Sequence, residues 1–202
     1  MRHYFTNDDS PGNRELKYID YNFRGHDFKF ATHSGVFSKD HVDSATDILL
    51  NTVADRLTVN CQLSTVNCLD LGCGYGVIGI VLAKVYELQL TSCDINESAL
   101  ELARLNCQLS TVNCQLFKSD CFGGVSGKFD VITLNPPIHA GKSVTYRMYE
   151  ESPRYLAEGG RLYIVTLKKH GVESTLAKLR EVFGKVEVIY KKKGIYVIES
   201  MS

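Results

Sequence analysis

An α/β fold on one mostly parallel sheet is the class this sequence predicts, on three observations. Short apolar runs of strand length alternate with helical spacings from residue 66 onward. A glycine-rich turn, Gly72-Cys73-Gly74-Tyr75-Gly76, joins the first of those strands to the first of those helices. The last two strands are separated only by Lys191-Lys192-Lys193-Gly194, a hairpin length, so the closing strand is expected to run antiparallel. The 202 residues suffice for one domain with a full core.

Residues 16–31 alternate about Tyr18, Phe23, Phe28 and Phe30, with a turn across Asn22–Asp27, and read as a β-hairpin. A helix is expected from about Asp43 to Leu57, with Ala45, Ile48, Leu49, Val53 and Leu57 at helical spacing. Val66–Leu71 is a short apolar strand, Val77–Ala83 a buried helix and Leu88–Cys93 a second strand. Asn96 is a good N-cap for a helix marked by Ala99, Leu100, Leu102, Ala103 and Leu105. Further strands are expected at Cys114–Phe117, Val131–Leu134, Leu162–Leu167, Val186–Tyr190 and Ile195–Ile198. A helix carrying Leu176, Leu179 and Phe183 on one face separates the third of these from the fourth. Such alternation implies right-handed crossovers.

Hydrophobic residues make up 44% and charged residues 23%, the balance of a soluble globular protein. No apolar run approaches the ~20 residues of a membrane span. Met1–Asp9 lacks an apolar signal segment, so the expected location is cytoplasmic. Seven cysteines include no Cys-x-x-Cys pair, which argues against a zinc site or a redox centre, and no metal is expected. Most lie in apolar surroundings and read as small core residues. The net charge of zero is unevenly spread: residues 1–140 carry −5 and residues 141–202 carry +5. A basic end can face phosphates, and it can equally be a solvated surface. Asn60–Cys68 recurs unchanged as Asn106–Cys114, each copy leading from a helix end into a strand. The shared slot explains why both are tolerated; nothing physical explains their identity.

The chemistry lies in two motifs. Asp70-Leu71-Gly72-Cys73-Gly74-Tyr75-Gly76 places its third glycine one residue earlier than a dinucleotide fingerprint does. Glycines permit positive φ and let backbone N–H groups approach a ligand. Asp94, 18 residues after Gly76, closes the second strand and can accept both ribose hydroxyl protons; the alternative is a surface Asp capping the next helix. Asp120 ends the third strand and can accept from an adenine amino group; the alternative is a turn-forming Asp. The second motif, Asn135-Pro136-Pro137-Ile138, follows the fourth strand. The prolines stiffen it and hold Asn135 extended. The Asn135 side-chain oxygen and the Pro136 carbonyl can then accept from one exocyclic amino group, aiming the nitrogen lone pair at a methyl carbon; the alternative is a rigid loop cap. Alignment matters more there than a strong base.

Asp70–Gly76 together with Asn135-Pro136-Pro137 resembles class I amino-group N-methyltransferases. His3-Tyr4-Phe5, Gly35-Val36-Phe37-Ser38-Lys39, His139-Ala140-Gly141-Lys142 and Gly159-Gly160-Arg161-Leu162 are similar to the small-domain methyltransferase group, which includes the 16S ribosomal RNA guanine-N2 enzymes. The resemblance implies a seven-stranded Rossmann-like sheet over residues 43–202, its last strand antiparallel, with residues 1–42 as an N-terminal hairpin extension packed on the same domain. It implies S-adenosylmethionine as cofactor, held by Phe37, Ser38, Asp70, Gly72, Cys73, Gly74, Gly76, Asp94, Ile95, Asp120 and Asn135, with Phe37 and Ser38 closing over it. It implies Asn135, Pro136, Pro137 and Ile138 at the reacting amino group, and guanine N2 in ribosomal RNA as acceptor. Many relatives carry an aromatic residue after Asn-Pro-Pro that stacks on the base; Ile138 stands there in this chain, so Phe5 or Tyr146 is a candidate replacement. His139, Lys142, Arg147, Arg154, Lys168 and Lys169 are candidate phosphate contacts or solvated surface. A glutamine side chain presents a similar planar amide, and a non-catalytic cofactor- or RNA-binding module is the third reading.

Overall fold

The computed structural model describes residues 15–60, 66–137 and 141–201. Two strands, β1 (Lys17–Phe23) and β2 (His26–Thr32), form the hairpin, turning on Arg24-Gly25, both at positive φ. Helix α1 (Ser44–Asn60) leads to β3 (Asn67–Leu71), α2 (Val77–Tyr86), β4 (Gln89–Asp94), α3 (Glu97–Leu109), β5 (Cys114–Lys118) and β6 (Phe129–Leu134). Then come α4 (Lys142–Glu151), β7 (Leu156–Leu167), α5 (Val172–Val182), β8 (Lys185–Lys192) and β9 (Ile195–Met201). The second sheet runs β5-β4-β3-β6-β7-β9-β8, parallel except that β9 is antiparallel to both its neighbours. This is the expected seven-stranded sheet with its last strand reversed.

The chain leaves β3 toward β4 and β5, then returns to β6 on the other side. The crevice at the carboxyl ends of β3, β4 and β6 is therefore the topological switch point, where open α/β sheets bind ligands. Alternation along the strands divides the core. Cys68, Val131, Tyr163, Val165 and Val197 face the hairpin, α1, α2 and α3. Leu69, Leu71, Ile132, Leu134, Leu162 and Ile164 face α4 and α5. Ile19, Phe23, Phe28 and Phe30 of the hairpin are buried in the first of these clusters. Buried Asn106 of α3 fixes the hairpin: its Oδ1 accepts the Ala31 N–H at 2.6 Å, and its Nδ2 donates to the carbonyls of Ala31 and Tyr75.

Three local readings differ from the structure. Helix α4 escapes the apolar periodicity because only Met148 and Tyr149 of its ten residues are buried. Strand β7 begins six residues before Leu162, through a Glu158-Gly159-Gly160 irregularity where Gly159 has φ 71° and the register with β6 shifts. Phe183 is buried but extended, as the C-cap of α5.

Candidate active site

The glycine turn is held from beneath. The N–H groups of Gly72 and Cys73 both donate to the Cys93 carbonyl at the end of β4, at 2.9 and 3.0 Å. Gly72 and Gly74 have φ of 69° and 57°, and a Cβ on either would meet no atom within 4 Å. Open space above two left-handed glycines is a cradle that a ligand can approach to backbone distance. Gly76 serves otherwise: it caps α2 at φ 94°, and a Cβ there would lie 2.8 Å from Ile80 Cδ1 of the same helix and 3.4 Å from Ala103 Cβ of α3.

Asp94 ties the turn to the next loop. Its Oδ2 accepts the Gly74 N–H at 2.8 Å and its Oδ1 accepts the Asn96 N–H at 2.9 Å. Each oxygen keeps a lone pair for a hydroxyl. Burial pushes this carboxyl upward, and the backbone N–H groups oppose the shift. Asn96 caps α3 itself, its side chain accepting from the N–H groups of Ser98 and Ala99. Helix capping therefore does not account for Asp94.

Asp70 occupies a different place from the other acids. Its Oδ2 accepts the Gly79 N–H at 2.9 Å and its Oδ1 accepts the Thr133 hydroxyl at 3.0 Å. It is 1% exposed, behind the turn, where it joins β3, α2 and β6. The expectation that Asp70 touches a cofactor gives way to a bracing role, because both oxygens are engaged inside the core. Its neighbour Cys73 is also buried, which pushes the thiol well up and argues against a nucleophile.

One cavity of about 670 Å³ gathers the rest: Phe37, Ser38, Gly72, Cys73, Gly74, Asp94, Ile95, Asp120, Asn135, Pro136 and Pro137 all line it. That size suits a nucleoside-scale ligand. Ile138 and His139 lie outside the described residues, as does Phe5. Phe37 is 57% exposed at the mouth. Its neighbour Ser38 adopts φ 56°, donates from Oγ to the His41 carbonyl and accepts the Tyr75 hydroxyl on its own carbonyl.

Several lining residues were not legible as site residues: Asp43, Thr46, Tyr75, Cys121 and Met148. Asp43 and Thr46 carried a signal, an Asp three residues before a Thr at the start of an apolar-periodic helix. Arg147 is drawn from α4 to the Asp120 carboxylate and the Cys121 sulfur rather than outward to solvent phosphates. Tyr146 reaches α5, its hydroxyl donating to the Ser174 carbonyl with Lys178 over its ring, and it does not line this cavity. Arg154 precedes β7 and so sits at the opposite edge of the sheet from the crevice.

Asn135 leaves β6 beside the turn. Its Nδ2 donates to the Thr46 hydroxyl oxygen at 3.0 Å. The amide nitrogen is thereby tied to α1, and the residue lines the cavity.

A glycine cradle, an acid ending the next strand and a crevice at the switch point define a nucleotide-binding α/β domain. Residues 27–199 match the methyltransferase small domain family, and the chain belongs to it. It is 36% identical over 202 residues to the uncharacterized protein YbxB of Bacillus subtilis, covering 98% of this chain and 97% of that one. It is 38% identical over 136 residues to ribosomal RNA small subunit methyltransferase C of Haemophilus influenzae, covering 65% of this chain. The solved T. thermophilus 16S rRNA N2 G1207 methyltransferase, in complex with AdoMet and guanosine, superposes with a TM-score of 0.83 at 23% identity over 93% of this chain. This chain spans 39% of the length of the Haemophilus enzyme and 50% of the Thermus chain.

Proposed function

We propose that this methyltransferase moves a methyl group from S-adenosylmethionine to the exocyclic amino group of a nucleobase, guanine N2 in ribosomal RNA. The observation that carries the reading is the placement of Asn135, which lines the same cavity as the glycine cradle and Asp94 with its amide nitrogen on the Thr46 hydroxyl. The residues fit the donor. Gly72 and Gly74 leave room at backbone distance, Asp94 has lone pairs for the two ribose hydroxyls, and Ile95 and Phe37 offer apolar surface to a purine and its tail. When bound, the donor supplies an electrophilic methyl group on a sulfonium centre that departs as a neutral thioether.

The chain's own residues then align the acceptor. Asn135 Oδ1 and the Pro136 carbonyl each accept one hydrogen of the –NH₂ group. That holds the nitrogen in a plane with its lone pair toward the methyl carbon. Neither group is basic, so the contribution is orientation, which is capable of supplying several kcal/mol of barrier lowering; the methylated nitrogen, cationic once the bond has formed, releases its extra proton to water. Pro136 and Pro137 restrict the backbone that carries both acceptors.

RNA is favoured over a protein glutamine by a lysine cluster along the same edge of the sheet. Leu134 is in register with Ile164 and Leu167 with Ile195, which brings the β8–β9 turn beside the end of β7. Lys168 donates its N–H to the Gly194 carbonyl there. Lys168, Lys169, Lys191, Lys192 and Lys193 all reach solvent. Such a row suits a phosphate backbone. The names of the relatives point the same way.

The test is transfer of labelled methyl from S-adenosylmethionine to small-subunit ribosomal RNA and to assembled subunits from cells lacking the gene, followed by nucleoside mass spectrometry. N2-methylguanosine is the expected product. Label in ribosomal protein would favour the glutamine reading, and label in neither would favour a non-catalytic module.

A further inference from the structure

We infer that Asp43 and Thr46 determine which end of the Asn135 amide is offered to the acceptor, and so are positioning residues for methyl transfer. This rests on the clamp role proposed for Asn135. The argument is one of proton supply. Asp43 directly precedes α1, and its Oδ1 accepts the N–H groups of Ala45 and Thr46 at 3.0 and 3.1 Å. Its Oδ2 accepts the Thr46 hydroxyl at 2.6 Å. A carboxylate only accepts, and a threonine hydroxyl has one proton to give. That proton is donated to Asp43, so toward Asn135 the Thr46 oxygen can only accept. Nδ2 must therefore face Thr46, and Oδ1 must face the cavity.

The reversed amide would set Oδ1 against an oxygen with no free proton. Thr46 is 7% exposed, so water has little room to mend that contact. An unmade hydrogen bond at a buried group costs its full desolvation penalty. The polarity of Asn135 is thus set by a helix cap through Thr46, 89 residues before it in the chain. Asp43 and Thr46 both line the cavity, and neither is close enough to Asn135 in sequence to be read as part of its motif.

The test separates hydroxyl from shape and relay from clamp. Thr46→Val keeps the volume and removes the hydroxyl. Single-turnover transfer to small-subunit ribosomal RNA from cells lacking the gene should fall at least about tenfold. Binding of S-adenosylmethionine by calorimetry should stay within about twofold, since the missing bond serves the acceptor. Thr46→Ser should restore most of the rate. Asp43→Asn keeps an oxygen for the helix cap but gives Thr46 a donor. That frees the Thr46 proton for Asn135 and permits the reversed amide with its NH₂ toward the cavity, so this variant should be slower than the parent at a near-native melting temperature. The Asn135 side-chain amide, followed by ¹⁵N NMR on the whole protein, should exchange slowly in the parent and in Thr46→Ser and quickly in Thr46→Val. Unchanged amide exchange in Thr46→Val overturns the relay whichever RNA accepts. So does a full transfer rate in Thr46→Val beside an inactive Asn135→Ala. A full rate in Asn135→Ala overturns the clamp reading itself.

Discussion

Asp70→Asn should make the protein more stable at neutral pH, and by an amount that depends on pH. The carboxyl sits in the core with a pKa raised from 3.8 to about 6, chiefly by burial, against the opposing bonds from Gly79 and Thr133. The native state therefore holds the proton more tightly than the unfolded chain. Below about pH 4 both states are protonated and the native state has its full stability. Between pH 4 and 6 the unfolded chain releases the proton first, and stability falls; above pH 6 it is level again. At 1.36 kcal/mol per pH unit the whole loss is ~3 kcal/mol, and ~2 kcal/mol of it accrues between pH 4.5 and 7.5. Asparagine does not titrate and keeps both contacts. Its Oδ1 accepts from Gly79, and its Nδ2 donates to Thr133, whose hydroxyl can swing to the Leu69 carbonyl 3.5 Å away. Urea unfolding of both proteins at pH 4.5 and 7.5 gives a difference of differences from which other titrating groups largely cancel. The expected value is about 2 kcal/mol in favour of the variant at the higher pH. A stability gap that does not move with pH would refute the reasoning.

Asp94→Ala should weaken S-adenosylmethionine binding at least about tenfold in calorimetry, because hydrogen bonds to a charged acceptor contribute ~1.5–3 kcal/mol. It should leave the fold intact, with Asn96 still capping α3. Asn106→Ala should lower unfolding free energy by ~2–4 kcal/mol, since it strands the buried N–H and carbonyl of Ala31. Hydrogen exchange at the Ala31 amide should rise with it. Replacing Lys192 and Lys193 with Ala should make the slope of log affinity against log salt for small-subunit RNA shallower by about one for each phosphate left without its lysine. Binding of the methyl donor alone should not change.

Much of the site is readable in the sequence because its chemistry is local in the chain. Gly72 and Gly74 must be glycines for their φ values, Asn96 must cap, and Asn135 must be extended before Pro136. The sheet's parallel run and its reversed last strand follow from connection lengths alone. Helix α4 is not readable, because Met148 and Tyr149 are buried while Val144 and Tyr146 are only partly so, which leaves a thin apolar stripe among polar neighbours. The role of Asp70 is hidden for a related reason. Its place before the turn is one-dimensional information, whereas its partners Gly79 and Thr133 lie on two other elements.

Residue types and spacing determined the class of fold, the glycine turn and the stiff Asn-Pro-Pro segment, because turns, caps and strand–helix alternation act over a few neighbours. The strand order that makes β3 the switch point, the inward placement of Asp70 and the bond from the Asn135 amide nitrogen to Thr46 needed the folded chain. Each depends on groups that meet only when distant segments pack. The clearest case is one hydrogen bond from Asn135 to Thr46, whose direction comes from a proton already given to Asp43.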